Sequence, residues 1–188
     1  MMRAIRIELP RWVAEITAGI HSCKSNEDKM RLAIALAREN VVRGTGGPFG
    51  AAVFEQASGR IVGVGVNCVE GLRNSVLHAE VMALMFAEAK VRSYTLRGAD
   101  LPAHVLVTTC EPCAMCLGAA LWSGVTRILC GARRDDARSL GFEEGPVFPE
   151  SYRYLEGRGL EIVRDVAGDE AREVLELYRQ RGGTIYNG

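Results

Sequence analysis

Residues 104–116 read His-Val-Leu-Val-Thr-Thr-Cys-Glu-Pro-Cys-Ala-Met-Cys, and this stretch decides the fold. Its first six residues are largely apolar or β-branched, a composition typical of a buried strand. Pro112 follows at a position that proline favours at the opening of a helix, and we predict that this helix runs to Trp122. The stretch therefore predicts a strand that leads into a helix, with Cys113 and Cys116 in the first helical turn.

Helices and strands alternate along the rest of the chain. Ser25 is a capping residue ahead of a helix that stops before Gly44, and residues 78–89, which contain no Gly or Pro, predict a second helix. Two apolar runs bracket Ser-Gly in the pattern of a β-hairpin. The predicted strands are residues 51–54, 61–66, 104–109, 127–130 and 161–163, and a last helix surrounds residues 171–178. This order predicts an α/β fold, a three-layer αβα sandwich, as one domain over residues 1–188 with a mobile tail at 182–188.

Composition limits the classes of function. The chain has 188 residues, with 23 Lys plus Arg and 23 Asp plus Glu, so its formal net charge is zero. No overall field attracts a polyanion, which disfavours a nucleic-acid substrate. No apolar run approaches membrane-spanning length, and charged residues interrupt the first 17 positions. Three of the six cysteines fall within seven residues, which favours metal binding over disulfides and predicts a reduced, cytoplasmic protein.

A metal site is predicted where two helices begin. Cys113 and Cys116 are three residues apart on a first helical turn, so both sulfurs face one side, and His78 opens the other helix. Three protein ligands leave a fourth tetrahedral position for water, the arrangement of catalytic rather than structural zinc. Glu80 lies two residues from His78 and therefore on a different helix face, where it can carry the water proton to a departing nitrogen.

Other interpretations of these residues stay open at this point. A lone Cys-x-x-Cys is often structural or redox-active, and His-x-Glu alone carries little information. Cys110 could supply a third thiolate in place of His78, although it ends a strand and free cysteines usually pack against apolar groups. The remaining cysteines are expected to be structural: Cys23, Cys68 and Cys130.

The chain resembles the cytidine and deoxycytidylate deaminase superfamily, and within it the bacterial guanine deaminase branch. The resemblance rests on His-Ala-Glu-Val at residues 78–81 and on Cys-Glu-Pro-Cys-Ala-Met-Cys-Leu-Gly-Ala at 110–119. Gly-Gly-Pro-Phe-Gly-Ala at 46–51, Asn67, Trp122 and Gly-Phe-Glu-Glu at 141–144 extend it. It implies a five-stranded mixed sheet, a homodimer, a zinc ion and a pocket for a planar heterocycle.

The resemblance also implies roles for individual residues. It implies that Asn67 binds the base and that Phe49 and Trp122 form the pocket walls. The alternatives without a functional role are an asparagine in a turn and aromatic residues in the core. Ala79 is expected to contact the substrate. Glu144, favoured over Glu143, is expected to contact the substrate amine, where the branch can carry Asp; a solvated acidic loop is its alternative. The tail can close over a neighbouring subunit's site through Tyr186, and a disordered chain end is the alternative.

The expected reaction is hydrolytic removal of the 2-amino group of guanine, which gives xanthine and ammonia. Rival substrates are other small aminated rings, namely ammeline, cytosine or a nucleoside. A tRNA adenosine deaminase shares the Glu-Pro-Cys-x-Met-Cys pattern but needs an RNA-binding surface. A zinc-bound structural module without turnover would instead show a closed shell of four ligands.

Overall fold

The computed structural model describes residues 5–186, and a five-stranded sheet organises them. The strands are β1 (Gly50–Glu55), β2 (Ile61–Val66), β3 (His104–Cys110), β4 (Arg127–Ala132) and β5 (Glu161–Val163). Their order is β2-β1-β3-β4-β5, with β1 antiparallel to β2 and β3 and with β3, β4 and β5 parallel. The sheet is therefore mixed, as the resemblance implies.

Helices cover both faces of the sheet. The helices are α1 (Trp12–Thr17), α2 (Asn26–Val42), α3 (Val69–Leu72), α4 (Ala79–Val91), α5 (Ala114–Ser123), α6 (Arg134–Ser139), α7 (Pro149–Gly157) and α8 (Gly168–Gln180). Helices α1, α2 and α8 share one apolar core with Phe54 and Val107, whereas α4, α5 and α7 share another with Val53 and Leu106. Adjacent strand residues thus point to opposite cores, as the pleat requires. This confirms the three-layer αβα sandwich.

Local sequence explains two of these elements. The hydroxyl oxygen of Ser25 accepts a hydrogen bond from the backbone N–H of Asp28 at 3.0 Å, which confirms the predicted cap of α2. Strand β2 carries Gly63 and Gly65 where α4 crosses it. A Cβ at Gly65 would lie 2.1 Å from the carbonyl oxygen of Ala79, so only glycine lets α4 begin this close to the sheet.

Four helices were not predicted from the sequence, namely α1, α3, α6 and α7. The first three have four to six residues, too few for helical periodicity to show. Helix α5 also begins later than predicted, since Cys113 is its N-cap and Pro112 precedes it. Among residues 5–186, no helix is both long and apolar enough to cross a membrane.

The strand directions bring four chain segments to one edge of the sheet. Strands β3 and β4 end there, and because β1 is antiparallel to β3, Phe49 and the start of β1 lie beside the end of β3. Asn67 follows the end of β2, and its N–H donates to the carbonyl of Phe49 at 3.1 Å. Ligands bind at such strand ends in open α/β sheets. This edge holds the candidate site.

Candidate metal centre and substrate pocket

The N-termini of two neighbouring helices meet at this edge. His78 is the N-cap of α4 and Cys113 is the N-cap of α5, both with extended backbone, while Cys116 is the third residue of α5. The unpaired N–H groups of a helix start favour negative charge nearby. The two helix starts therefore suit thiolates and a carboxylate.

Three side chains have the spacing of a metal site. The Nδ1 atom of His78 lies 3.6 Å from the Sγ atom of Cys113 and 3.6 Å from that of Cys116. Zinc bonds of about 2.3 Å to sulfur and about 2.0 Å to nitrogen, at the tetrahedral angle, place N and S about 3.6 Å apart. Within residues 5–186, these three are the one group of His, Cys, Asp and Glu side chains that could hold a metal ion. The donor set fits zinc with one open position.

The pKa values of the Cys113 and Cys116 thiols favour binding of a cation. A hydrogen bond from Cys116, together with His78, lowers the pKa of the Cys113 thiol to about 4 despite burial. The same hydrogen bond and burial raise the pKa of Cys116. Without metal the pair thus shares one proton, which a bound dication replaces.

Cys110 lies outside this group of ligands. It is the last residue of β3, and its thiol donates to the carbonyl oxygen of Arg133 at 3.3 Å. Burial raises the pKa of this thiol well above its ordinary value. The alternative in which Cys110 replaces His78 therefore has no support in the structure. Cys23, Cys68 and Cys130 are buried free thiols, also outside the group of ligands.

Glu80 lies beside the metal ligands without joining them. It is the second residue of α4, is buried, and has its carboxyl within hydrogen-bonding reach of Cys116. Burial and the neighbouring Cys113 raise the pKa of Glu80. A carboxyl held in this way can take up and release a proton next to the open metal position.

A cavity of about 450 Å³ opens over the metal ligands, a size usual for small-molecule sites. Its lining includes five of the residues that the sequence singled out: Phe49, Asn67, Glu80, Glu144 and Tyr186. These residues come from five separate parts of the chain. Their meeting in one cavity is a property of the tertiary structure alone.

Asn67 presents an unused hydrogen-bond donor to the cavity. Its side-chain oxygen accepts from the N–H of Val69 at 3.2 Å, which fixes the orientation of the amide. Its Nδ2 atom is buried and has no hydrogen-bond partner. A buried donor left unpaired costs about 1–3 kcal/mol, so this group is built to meet an acceptor on a ligand.

The loop after α6 contributes two acidic residues to the cavity lining, of which one is buried and the other is exposed. Glu144 is buried and Glu143 is exposed, and the carbonyl of Glu144 accepts from the N–H of Ala114 at 3.0 Å. This bond ties the loop to the start of α5, next to Cys113. Burial, followed by the charge of Cys113, raises the pKa of Glu144 to about 8.

Phe142 forms an aromatic wall for which the sequence suggested no role. Its ring meets Phe49 edge-on at 5.0 Å between centroids and Tyr186 at 5.2 Å. The Gly-Phe-Glu-Glu stretch was the available signal, but nothing in it pointed to a contact with residue 186. Tyr186 lies in the pocket of its own chain, with its hydroxyl buried and unpartnered. The end of the tail, residues 187–188, lies outside the described residues.

Two expected substrate contacts lie elsewhere. Trp122 is 80% exposed and is no wall of its own chain's pocket, because it is six residues beyond Cys116, about 240° around α5 and roughly 9 Å along it. Ala79 is fully buried and packs against β2 instead of lining the cavity. Ala79 and Glu80 are adjacent in α4, so they point in different directions around the helix, and Ala79 faces the sheet.

Known proteins are similar to this chain in sequence and in fold. The family described as the cytidine and deoxycytidylate deaminase zinc-binding region matches residues 23–132, more than half of the chain. The chain belongs to this deaminase family. The matched region contains His78, Glu80, Cys113 and Cys116, so the protein is a zinc-dependent deaminase and the predicted cofactor and enzyme class are confirmed.

Individual members of the deaminase family give finer comparisons. Guanine deaminase of Bacillus subtilis is 34% identical over 134 residues, which are 71% of this chain and 81% of that protein. A solved guanine deaminase from Nitrosomonas europaea is 38% identical with a TM-score of 0.91, covering 96% of this chain and 98% of that one. A tRNA-specific adenosine deaminase of Buchnera aphidicola is 30% identical over 156 residues, 82% of this chain and 95% of that protein.

Proposed function

We propose that this deaminase hydrolyses guanine to xanthine and ammonia. The observation that carries the proposal is a single cavity. It is lined by two of the zinc ligands, by Glu80, by the unused donor of Asn67 and by the buried Glu144. The similarity to the solved guanine deaminase of Nitrosomonas europaea covers 96% of this chain, well beyond the family's matched region at residues 23–132.

The zinc ion, when bound by His78, Cys113 and Cys116, supplies water activated at neutral pH. Glu80 takes the proton that this water loses as its oxygen bonds to the amine-bearing ring carbon. Glu80 delivers this proton to a ring nitrogen and then moves the remaining hydroxyl proton to the exocyclic amine, so that the C–N bond breaks, ammonia leaves and the carbonyl of xanthine forms. Water and guanine are thus converted to xanthine and ammonia with no further reactant.

Other residues of the cavity lining orient the ring. The Nδ2 atom of Asn67 donates to an acceptor on the purine edge, and the carboxyl of Glu144 meets the exocyclic amine. Phe49 and Phe142 exclude water from the faces of the ring. Proximity of the amine to both Glu80 and Glu144 assists its departure.

The test of the proton carrier is Glu80→Gln. We expect this variant to bind one zinc per chain and to release ammonia from guanine about 10²–10⁴ times more slowly, because Gln keeps the shape but cannot exchange the proton. Zinc is measured by atomic emission, and Glu88→Gln, about two turns further along the same helix and outside the cavity lining, is the charge control. Full activity of Glu80→Gln with zinc bound would refute the assigned role.

A substrate panel separates the rival rings. Ammonia release is compared among guanine, adenine, cytosine, guanosine, cytidine and ammeline with the zinc-loaded protein. We expect guanine to give the highest kcat/KM. A higher value for cytosine, ammeline or a nucleoside would replace guanine as the substrate.

Similarity to the Buchnera tRNA-specific adenosine deaminase makes that activity the second candidate. The zero net charge and the partly buried Tyr186 ring in the pocket favour a free base over an RNA strand. An affinity for tRNA that falls steeply between 50 and 200 mM salt, together with release of ammonia from tRNA, would reverse this order.

We also propose a homodimer located in the cytoplasm. Trp122 and Tyr94 are 80% and 92% exposed and border one surface depression. Exposed aromatic clusters are unusual on a monomer, and a second copy of the chain would cover them.

The proposed location in the cytoplasm rests on the cysteines. The six cysteines are free, which supports a reducing compartment.

A further inference from the structure

Asn40 is a fully buried polar residue in α2 that faces the back of the substrate pocket. Its Nδ2 atom donates to two backbone carbonyls, that of Gly47 at 2.9 Å and that of Asn67 at 2.9 Å. Its Oδ1 atom accepts from the hydroxyl of Thr45 at 2.7 Å. Both amide protons and the oxygen are therefore engaged.

The two carbonyls belong to residues that shape the pocket. Asn67 carries the unpaired Nδ2 donor that faces the cavity. Gly47 lies under Tyr186, since a Cβ at this glycine would be 2.0 Å from the tyrosine hydroxyl. Asn40 lies outside the cavity and thus holds two backbone positions that shape it. These are Asn67, the proposed substrate contact, and Gly47, against which Tyr186 packs.

A further link fixes the orientation of the Asn40 amide. The hydroxyl of Thr45, which donates to Asn40, accepts in turn from the indole Nε1–H of Trp12 at 3.2 Å. The N–H of Thr45 also donates to the carbonyl of Asn40 at 3.0 Å. The oxygen of the amide is therefore held toward Thr45 and its nitrogen toward the two carbonyls, and α1 closes the network.

We propose that Asn40 is a positioning residue for substrate recognition that acts through Asn67, with Thr45 and Trp12 holding its amide in place. The inference deepens the proposed function, because it assigns the residue that aims the base-binding donor. An Asp at this position has no donor for the two carbonyls and sets negative oxygens against them. Displacement of the Asn67 backbone would then move the Nδ2 atom away from the ring.

The experiment compares Asn40→Asp, Thr45→Val and Thr126→Val, each loaded with zinc. We expect Asn40→Asp to lower kcat/KM for guanine by about tenfold or more, mainly through a higher KM, and Thr45→Val to lower it by about threefold. Thr126 is the matched control, because its hydroxyl bonds to Gln56 and to the carbonyl of His104 at the opposite edge of the sheet. Thr126→Val should keep kcat/KM within about twofold of the parent value.

A double-mutant cycle distinguishes positioning from general damage to the fold. In an Asn67→Ala background the donor is already gone, so Asn40→Asp should lower kcat/KM by less than about twofold more. A full tenfold loss in that background would overturn the inference, as would an effect of Asn40→Asp no larger than that of Thr126→Val. If Asn40→Asp does not fold, Thr45→Val in the two backgrounds decides by the same comparison.

The choice of substrate keeps failure of the proposed function distinct from failure of the role of Asn40. The cycle is run on whichever ring of the panel the parent protein deaminates fastest. No ammonia from guanine would refute the proposed function, while additive effects on the ring that is turned over would refute the role of Asn40. Zinc content of one ion per chain in every variant shows that the metal ligands are intact.

Discussion

Gly47 offers a clean way to displace the C-terminal tail from the pocket. A Cβ built at this residue would lie 2.0, 2.7 and 2.8 Å from three ring or hydroxyl atoms of Tyr186, and these are its three nearest neighbours. The backbone of Gly47 is outside the left-handed region, so alanine can adopt it. Gly47→Ala therefore acts on Tyr186 and leaves the metal ligands untouched.

The size of the effect follows from what the ring loses. To reach ordinary contact at 3.4 Å, the hydroxyl has to retreat by roughly 1.4 Å, and the ring must give up its edge contact with Phe142. Burial of an aromatic side chain stabilises by about 1.5–3 kcal/mol, offset in part by release of the unpaired hydroxyl. We expect a net loss of about 1–2 kcal/mol, which lowers the closed-to-open equilibrium constant of the tail five- to thirtyfold.

Two measurements follow the displaced tail. Carboxypeptidase digestion, which acts on the open tail, should become about five- to thirtyfold faster, and kcat/KM for guanine should fall by up to the same factor. Gly118→Ala is the matched control, because a Cβ there has nothing within 4 Å. This substitution should preserve activity and leave stability equal or about 0.5–1 kcal/mol higher. The reasoning fails if Gly47→Ala lowers kcat/KM equally in a chain that ends at Gly183 and so lacks the tyrosine.

Three further perturbations test the metal site, the surface and the hairpin. Cys113→Ser should bind zinc far more weakly and melt at a lower temperature than the zinc-loaded parent in calorimetry, because it loses a thiolate ligand; equal zinc affinity would contradict the ligand set. Trp122→Glu should sediment as a monomer at concentrations where the parent is a dimer, and an unchanged mass would place the interface elsewhere. Arg60 lowers the pKa of Glu55 to about 2, so this carboxylate stabilises the fold above about pH 4.5 and its contribution disappears as pH falls toward 2. Glu55→Gln should therefore lose less stability than the parent over that range in urea titrations, and equal losses would refute the pairing.

The metal ligands were predictable because each lies in a short motif at the start of a helix. Cys113 and Cys116 share one helical turn, and His78 needs only a helix start on a neighbouring element. The pattern of strands and caps likewise depends on residues within a few positions of one another. These local rules were sufficient to predict the αβα layers, the zinc ion and the class of enzyme.

The substrate side of the pocket depends on contacts between distant parts of the chain. Phe142 becomes a wall only because it meets Phe49 and Tyr186, and Trp122, equally aromatic, points to the exterior on the far side of α5. The role of Asn40 has no sequence signal, since its partners are fixed by the packing of α2 behind the sheet. A residue type alone does not tell a wall from a surface aromatic.

The sequence by itself predicted the metal, the proposed proton carrier, the five strands and the four longest helices, because those depend on local spacing and side-chain chemistry. Only the tertiary structure decided which carboxyl of the cavity lining is buried, which aromatic rings enclose the cavity and which amide donor stays free for a ligand. Glu144 and Glu143 are adjacent, yet the bond from Ala114 to the Glu144 carbonyl ties that residue to the zinc ligands and leaves its neighbour in solvent. The physical reason is burial: packing removes water from one polar group and leaves it around the next.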